Sequence, residues 1–181
     1  ERKMLTELSV SIDNYYLIPL RQEWQKAEPA LDESEHFAKC SIQYKEKTIV
    51  VTASSAYDDR FRPEQLFNGE NEVYRETRWG CKPEQTDNFI LIHFSAPVRA
   101  NALFMTASNY TVYEAPKKFE LWAFNDDENN KKVLIKIKYF NWFSNMKKMF
   151  RFNNENHYSN YKIKLISSNS SNGVITLSEL N

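Results

Sequence analysis

Residues 118–124 read KFELWAF, a stretch in which Phe119, Leu121 and Ala123 alternate with Glu120, Trp122 and Phe124. Period-two alternation is typical of a β-strand with one buried face and one solvated face. Similar alternating or β-branched stretches, separated by polar turns, occupy residues 48–54, 88–94, 101–107, 133–140, 149–152, 161–166 and 174–180. About eight short strands without helices between them predict an all-β fold of antiparallel sheets, packed as a sandwich or jelly roll.

The first 46 residues show a different pattern. Leu5, Leu8 and Ile12 recur at three- and four-residue spacing, and prolines interrupt the region. Such spacing predicts short helices. We therefore expect a helical N-terminal extension or connector over residues 1–46 and a β-sandwich domain over residues 47–181.

Composition narrows the classes of function. The chain has 181 residues, of which 41% are hydrophobic, and no apolar run approaches the ~20 residues of a membrane span. Lys+Arg and Asp+Glu number 24 each, which argues against a nucleic-acid binder. The charge is uneven, because residues 1–116 carry 13 basic and 18 acidic side chains whereas residues 117–164 carry 11 and 5. Only 3 glycines are present, too few for glycine-rich phosphate loops.

The sequence offers little support for catalysis or a thiolate metal site. Cys40 and Cys81 lack metal-ligand spacing, and either one disulfide or two free thiols remains open. His36, His93 and His157 fall in the extension, in a predicted strand and in a turn, so we do not expect them to converge. The sequence therefore predicts a protein that is not an enzyme.

Several segments, taken in order, resemble one family. They are TASSAYDD at 52–59, PEQLFNGE at 63–70, TRW at 77–79, FILIHFSAPVRANALFMTAS at 89–108, APKKFELWAFND at 115–126 and NYKIKLISSNSSNGVITLSEL at 160–180. This order is similar to that of the discoidin, or coagulation-factor type C, family and the related family 32 carbohydrate-binding modules. The resemblance implies a galactose-binding-like β-sandwich that acts as a binding module.

The order of the predicted strands places their connections at two ends. Consecutive antiparallel strands alternate the end at which they connect, so the loops at 56–62, 80–88, 108–116, 141–146 and 168–173 should share one end, here called the aromatic-loop end. Aromatic rings in loops can stack on the apolar face of a sugar, and mixed polar groups suit its hydroxyls. The candidate ligand-binding residues are Tyr57, Asp59, Arg60, Asn109, Tyr110, Tyr113, Asn141 and Trp142. The alternative is that these rings pack over the rim of the core.

The resemblance also implies a structural calcium ion. The positions that match the family's calcium ligands are Asn68, Thr77 and Glu179. Asn68 stands where the family has Asp, which lowers the negative charge offered to a hard cation.

The leading hypothesis is a non-catalytic module that recognises a glycan or glycoconjugate and attaches a larger protein to a cell surface or polysaccharide. An extracellular or surface-exposed location follows from it, with an intracellular one left open. Two alternatives remain: an assembly domain in which residues 1–46 mediate oligomerisation or protein docking, and binding to an anionic membrane through the basic stretch at 131–151.

Overall fold

Three antiparallel sheets form the structure, a computed structural model that describes residues 26–29, 37–44, 46–67 and 78–181. The strands are β1 (Lys26–Pro29), β2 (Ala38–Tyr44), β3 (Lys47–Ala53), β4 (Trp79–Gly80), β5 (Asn88–Val98), β6 (Ala102–Thr106), β7 (Lys118–Phe124), β8 (Lys132–Ile137), β9 (Lys147–Arg151), β10 (Tyr158–Ser167), β11 (Thr176–Leu177) and β12 (Glu179–Leu180). Short 3-10 helices span Pro63–Phe67, Val112–Glu114 and Glu128–Asn130.

The sheets pack as a sandwich. The large sheet has the order β1-β2-β3-β5-β10-β7-β8, the smaller sheet has the order β12-β6-β9, and β4 pairs with β11. Phe119 of β7 meets Phe150 of β9 with ring centroids 5.2 Å apart, which joins the two larger sheets. The alternation of β7 thus buries one face, as its sequence predicts, and the predicted antiparallel β-sandwich is confirmed.

The core lies between the facing sheets. Ile90, Leu121 and Ile163 come from neighbouring strands of the large sheet and are at most 3% exposed. Leu103 and Met105 of β6 lie in the same apolar cluster. Burying a large aliphatic side chain contributes roughly 1.5–3 kcal/mol, so these contacts hold the two faces together and fix the loops at either end.

The N-terminal region departs from the sequence prediction. Residues 26–29 and 38–44 are strands, so the helical interpretation is wrong for them. β2 pairs with β3 over its whole length, and Cys40 and Ile42 point into the core at 1% and 0% exposure. Buried and half-buried residues alternate along β2, which is the period-two pattern of a strand. The other residues of the predicted extension, 1–25 and 30–36, lie outside the described residues.

Both cysteines are free thiols in the core. Cys40 lies in β2 and Cys81 directly follows β4. Burial raises the pKa of both thiols. The Cys81 Sγ also accepts a hydrogen bond from the backbone N–H of Ile175 at 3.2 Å. Of the two states that the sequence leaves open, the structure shows the one without a disulfide.

Candidate functional site

The loops of the aromatic-loop end contact one another through hydrogen bonds. The backbone N–H groups of Tyr57, Glu84 and Asn169 donate to the carbonyls of Gly80, Asn172 and Tyr113 at 2.7, 2.9 and 2.9 Å, and the Ser144 hydroxyl donates to the Asn109 carbonyl at 2.9 Å. These bonds link all five loops that the strand order assigns to this end. The structure therefore confirms their grouping.

Two buried residues place the loop that carries Tyr57. Trp79 is fully buried, and its indole Nε1 donates to the Ser55 carbonyl at 2.9 Å. A Cβ on Gly80 would lie 3.2 Å from the Thr176 Cγ2 and 4.0 Å from the Tyr57 Cβ, so glycine permits the close approach of strand and loop. Trp79 therefore has a structural place beneath this loop.

An arginine joins two of the loops. The guanidinium carbon of Arg78 lies 4.8 Å from the ring centre of Phe61 and 6.0 Å from that of Tyr110. Tyr57 meets Phe61 edge to face at 5.9 Å. We call Tyr57, Phe61, Arg78 and Tyr110 the Arg78 cluster. Tyr57 and Tyr110 are 48% and 51% exposed, whereas Arg78 is only 9% exposed. The buried cation therefore supports the Tyr110 ring directly and the Tyr57 ring through Phe61.

Charged groups lie at the edge of this cluster. Arg60 donates to both carboxylate oxygens of Asp58, with its Nη2 at 2.8 Å from Oδ2, and its guanidinium lies 5.2 Å from the Phe61 ring centre. These hydrogen bonds from Arg60 hold the pKa of Asp58 below its usual range. The predicted residue Asp59, which lies between Asp58 and Arg60 in the sequence, is exposed. A ligand lying on the tyrosines would therefore meet both donors and acceptors.

The remaining candidates form a second group on the neighbouring loops. Tyr113 is 53% exposed, and Asn141 is exposed. The Asn109 Oδ1 accepts a hydrogen bond from the Ser144 hydroxyl at 3.0 Å. These residues lie on the loops at 108–116 and 141–146 of the aromatic-loop end.

Trp142 has the arrangement of a rim residue. Its ring meets those of Phe140 and Phe150 at 4.7 and 6.2 Å, and its indole Nε1 donates to the Pro116 carbonyl at 2.8 Å. The next residue, Phe143, is 71% exposed. The packing over the core that the sequence analysis leaves as an alternative thus applies to Trp142 more than to the tyrosines.

Sequence reasoning missed two members of the Arg78 cluster. Arg78 belongs to the TRW segment that carries part of the resemblance, and Phe61 lies within the loop at 56–62. Their positions in those segments could have marked both residues as candidates. Nothing in the sequence, however, indicates that they pack together. The bridge between Phe61 and Tyr110 is a tertiary contact between distant loops.

The metal prediction falls mostly outside the described residues. Asn68 and Thr77 lie there, whereas Glu179 lies in β12 and pairs with Thr106 of β6. Within the described ranges, no group of three or more His, Cys, Asp or Glu side chains could hold a metal ion. The same part of the chain contains no helix long and apolar enough to cross a membrane.

Comparison with known proteins identifies the fold. No family model matches the sequence, and no curated protein matches it. A solved family 32 module of Clostridium perfringens in complex with GalNAc-β-1,3-galactose superposes with a TM-score of 0.60 at 19% identity, over 74% of this chain and 93% of that one. The chain has the fold of the family 32 carbohydrate-binding modules.

Other solved structures share the family 32 fold or a related one. The family 32 module of NanJ from C. perfringens, in complex with galactose, gives a TM-score of 0.58 at 16% identity, over 74% of this chain and 91% of that one. A fucolectin from striped bass (Morone saxatilis) serum gives a TM-score of 0.59 at 15% identity, over 72% of this chain and 45% of the fucolectin. The resemblance inferred from the order of the segments is therefore confirmed at the level of the fold.

Proposed function

We propose that this domain is a non-catalytic carbohydrate-binding module whose ligand lies on the Arg78 cluster. The observation that carries the proposal is the pair of half-exposed rings, Tyr57 and Tyr110, held by buried Arg78 and Trp79 at one end of a family 32 fold. Pyranose C–H groups pack on aromatic faces, and sugar hydroxyls both donate and accept hydrogen bonds. Arg60 and Asp59 supply these two kinds of partner at the rim.

Galactose-type sugars are the first ligands to test. Two of the solved structures with this fold are complexes with galactose and with GalNAc-β-1,3-galactose, and a third is a fucolectin. These ligands belong to those proteins, and they support a glycan for this chain. We further propose that the module attaches a larger protein to a glycan-bearing surface outside the cell. The non-enzymatic assignment rests on the same neighbours.

Calorimetry with galactose, GalNAc-β-1,3-galactose and fucose, after a glycan-array screen, tests the proposal. We expect Tyr57→Ala and Tyr110→Ala each to weaken binding by about 1–3 kcal/mol, because each loses a stacked aromatic face. Tyr139→Ala is the matched control, because Tyr139 is 58% exposed and does not belong to the Arg78 cluster. The Lys117 Nζ lies 5.2 Å from the centre of its ring. Folded protein that binds nothing on a broad array, or tyrosine variants that bind like the wild type, would refute it.

Calcium binding remains a proposal of its own. Glu179 lies in β12 and offers a carboxylate, a ligand that Ca²⁺ prefers. We expect calcium to raise the melting temperature and EDTA to reverse the rise, since saturation to about 100 times Kd stabilises a fold by ~2.7 kcal/mol. Glu179→Gln should abolish this response. A melting temperature that calcium and EDTA leave unchanged would exclude the site.

A further inference from the structure

A cleft lies at the end of the sandwich opposite the aromatic-loop end. Its volume is about 1010 Å³ and its walls come from β6, β9 and the 152–156 loop. Arg99, Lys132 and Arg151 contribute three positive charges to the lining, and Glu155 contributes one negative charge. The three cations lie before β6, at the start of β8 and at the end of β9. The fold therefore brings together charges that are far apart in the sequence.

Two of these cations are available to a ligand. Arg99 and Lys132 are exposed, and neither side chain forms a hydrogen bond or ion pair with another described residue. Arg151 is also exposed and lies opposite Ala102 in the β6–β9 pairing, which places it at the mouth of the cleft. A concave surface with a net positive charge concentrates anions.

An apolar cavity of about 230 Å³ continues from the cleft into the space between the sheets. The cleft and the cavity share four lining residues, which are Arg99, Asn101, Ala102 and Phe152. The deeper wall is formed by apolar side chains that include Ile92, Leu103, Leu121 and Ile163. Arg99 thus lies where the charged cleft meets the apolar cavity.

Two polar side chains, Tyr161 of the cavity and Asn154 of the cleft, already have partners. The Tyr161 hydroxyl donates to the Val98 carbonyl at 2.7 Å and accepts from the Ala100 N–H at 3.1 Å. The Asn154 amide donates to the Ala100 carbonyl at 3.1 Å and to the Asn156 carbonyl at 2.9 Å. The deeper wall of the cavity is apolar, and apolar cavities of comparable size accept apolar ligands.

We propose that this end of the sandwich binds a small amphiphilic anion. Its carboxylate pairs with Arg99, and Lys132 and Arg151 add positive charge around it. Its apolar part of about six to eight carbons enters the cavity, at roughly 30 Å³ for each water-sized group. The site lies opposite the Arg78 cluster and does not depend on the proposed glycan binding.

Octanoate is the probe, titrated into ¹⁵N-labelled full chain and followed by amide chemical shifts. We expect saturable shifts at Arg99, Asn101, Ala102 and Phe152, with the aromatic-loop end unaffected. Arg99→Gln should weaken octanoate about tenfold, because a charge-assisted hydrogen bond is lost. Octanol, which has the same chain without the charge, should bind about tenfold more weakly than octanoate.

Two further variants separate the parts of the site. Ala102→Phe places a ring at the shared mouth and should abolish binding. Lys148→Gln is the matched control, since it removes one positive charge from β9 without altering the lining. Thermal melting checks that each variant is folded. If Ala102→Phe fails to fold, Arg99→Gln still tests the proposal, because Arg99 is exposed and its replacement should leave the fold intact. Absence of saturable shifts, shifts confined to other surfaces, or equal affinity of Arg99→Gln and wild type would overturn the proposal. Preference for an acidic disaccharide over octanoate would overturn it as well.

Discussion

Arg78 connects the packing of the sandwich to its candidate binding surface. It contacts the rings of Phe61 and Tyr110, which belong to different loops, while 9% of its surface is exposed. Arginine stacks on aromatic faces through a planar guanidinium that lysine lacks. We expect Arg78→Lys to leave the fold intact and to weaken glycan binding about threefold to tenfold, because the cation–π contacts hold Tyr110 in place. Calorimetry and thermal melting of the variant measure both effects. Unchanged affinity would remove Arg78 from the site.

The two buried thiols, Cys40 and Cys81, should be unreactive in the native protein. Cys40 and Cys81 are 1% and 0% exposed, and burial raises the pKa of each. A thiol reacts through its thiolate, so a raised pKa keeps the reactive form scarce up to mildly alkaline pH. We expect no reaction with Ellman's reagent in the native protein between pH 7 and 9. Two thiols should react in urea. A single native-state thiol that reacts quickly would show that one of the sites opens.

On the outer face of the large sheet, a charged pair joins β10 to the 3-10 helix at Glu128–Asn130. Lys162 is 9% exposed, lies 4.4 Å from the Phe89 ring centre and pairs with Glu128 at 2.8 Å. Glu128→Gln should cost about 1 kcal/mol of unfolding free energy, since the half-exposed carboxylate is partly screened. Lys162→Met keeps the apolar contacts and should stay within about 1 kcal/mol of the wild type. Urea unfolding measures both variants. The reverse order, with Lys162→Met much the more costly, would contradict this account.

Strand periodicity explains which elements the sequence predicts well. β7 buries Phe119, Leu121 and Ala123 in alternation, and the apolar residues of β10 alternate in sequence with lysines, so the pattern locates both strands closely. The pairs β4–β11 and β12–β6 each join two residues of one strand to two of the other, about 70 to 100 positions apart in sequence, as with Trp79 and Leu177. No local pattern marks such strands. The same limit applies to the site: the strand order predicts which loops meet, but the bridge that Arg78 forms depends on side-chain packing.

Across the whole molecule, the two ends of the sandwich differ in chemistry. The aromatic-loop end carries half-exposed tyrosines beside the paired Asp58 and Arg60. The opposite end carries an open basic cleft above an apolar cavity. The zero net charge of the chain does not exclude a local basic surface, because basic residues dominate 117–164, where Lys132 and Arg151 of the cleft lie. If both proposals hold, a single domain presents two independent binding surfaces, one for neutral sugars and one for small anions.

β2 belongs to the folded unit of the sandwich, which therefore begins before residue 46. β2 pairs with β3 along seven residues and adds Ala38, Cys40 and Ile42 to the core. A chain that starts at residue 46 would lose these contacts and expose the unpaired edge of β3. We expect it to lack a cooperative thermal transition and to aggregate, as followed by circular dichroism and sedimentation.

Point variants of β2 refine the same test in the full chain. Ile42→Ala should cost about 2–5 kcal/mol, because it leaves a cavity in the core. Ser41→Ala changes the opposite face of the strand and should cost less than about 0.5 kcal/mol. If the chain from residue 46 melts cooperatively near the temperature of the full chain, residues 1–46 are a separate connector, and their part in assembly becomes the better hypothesis. If it unfolds while Ile42→Ala is strongly destabilised, β2 belongs to the sandwich itself.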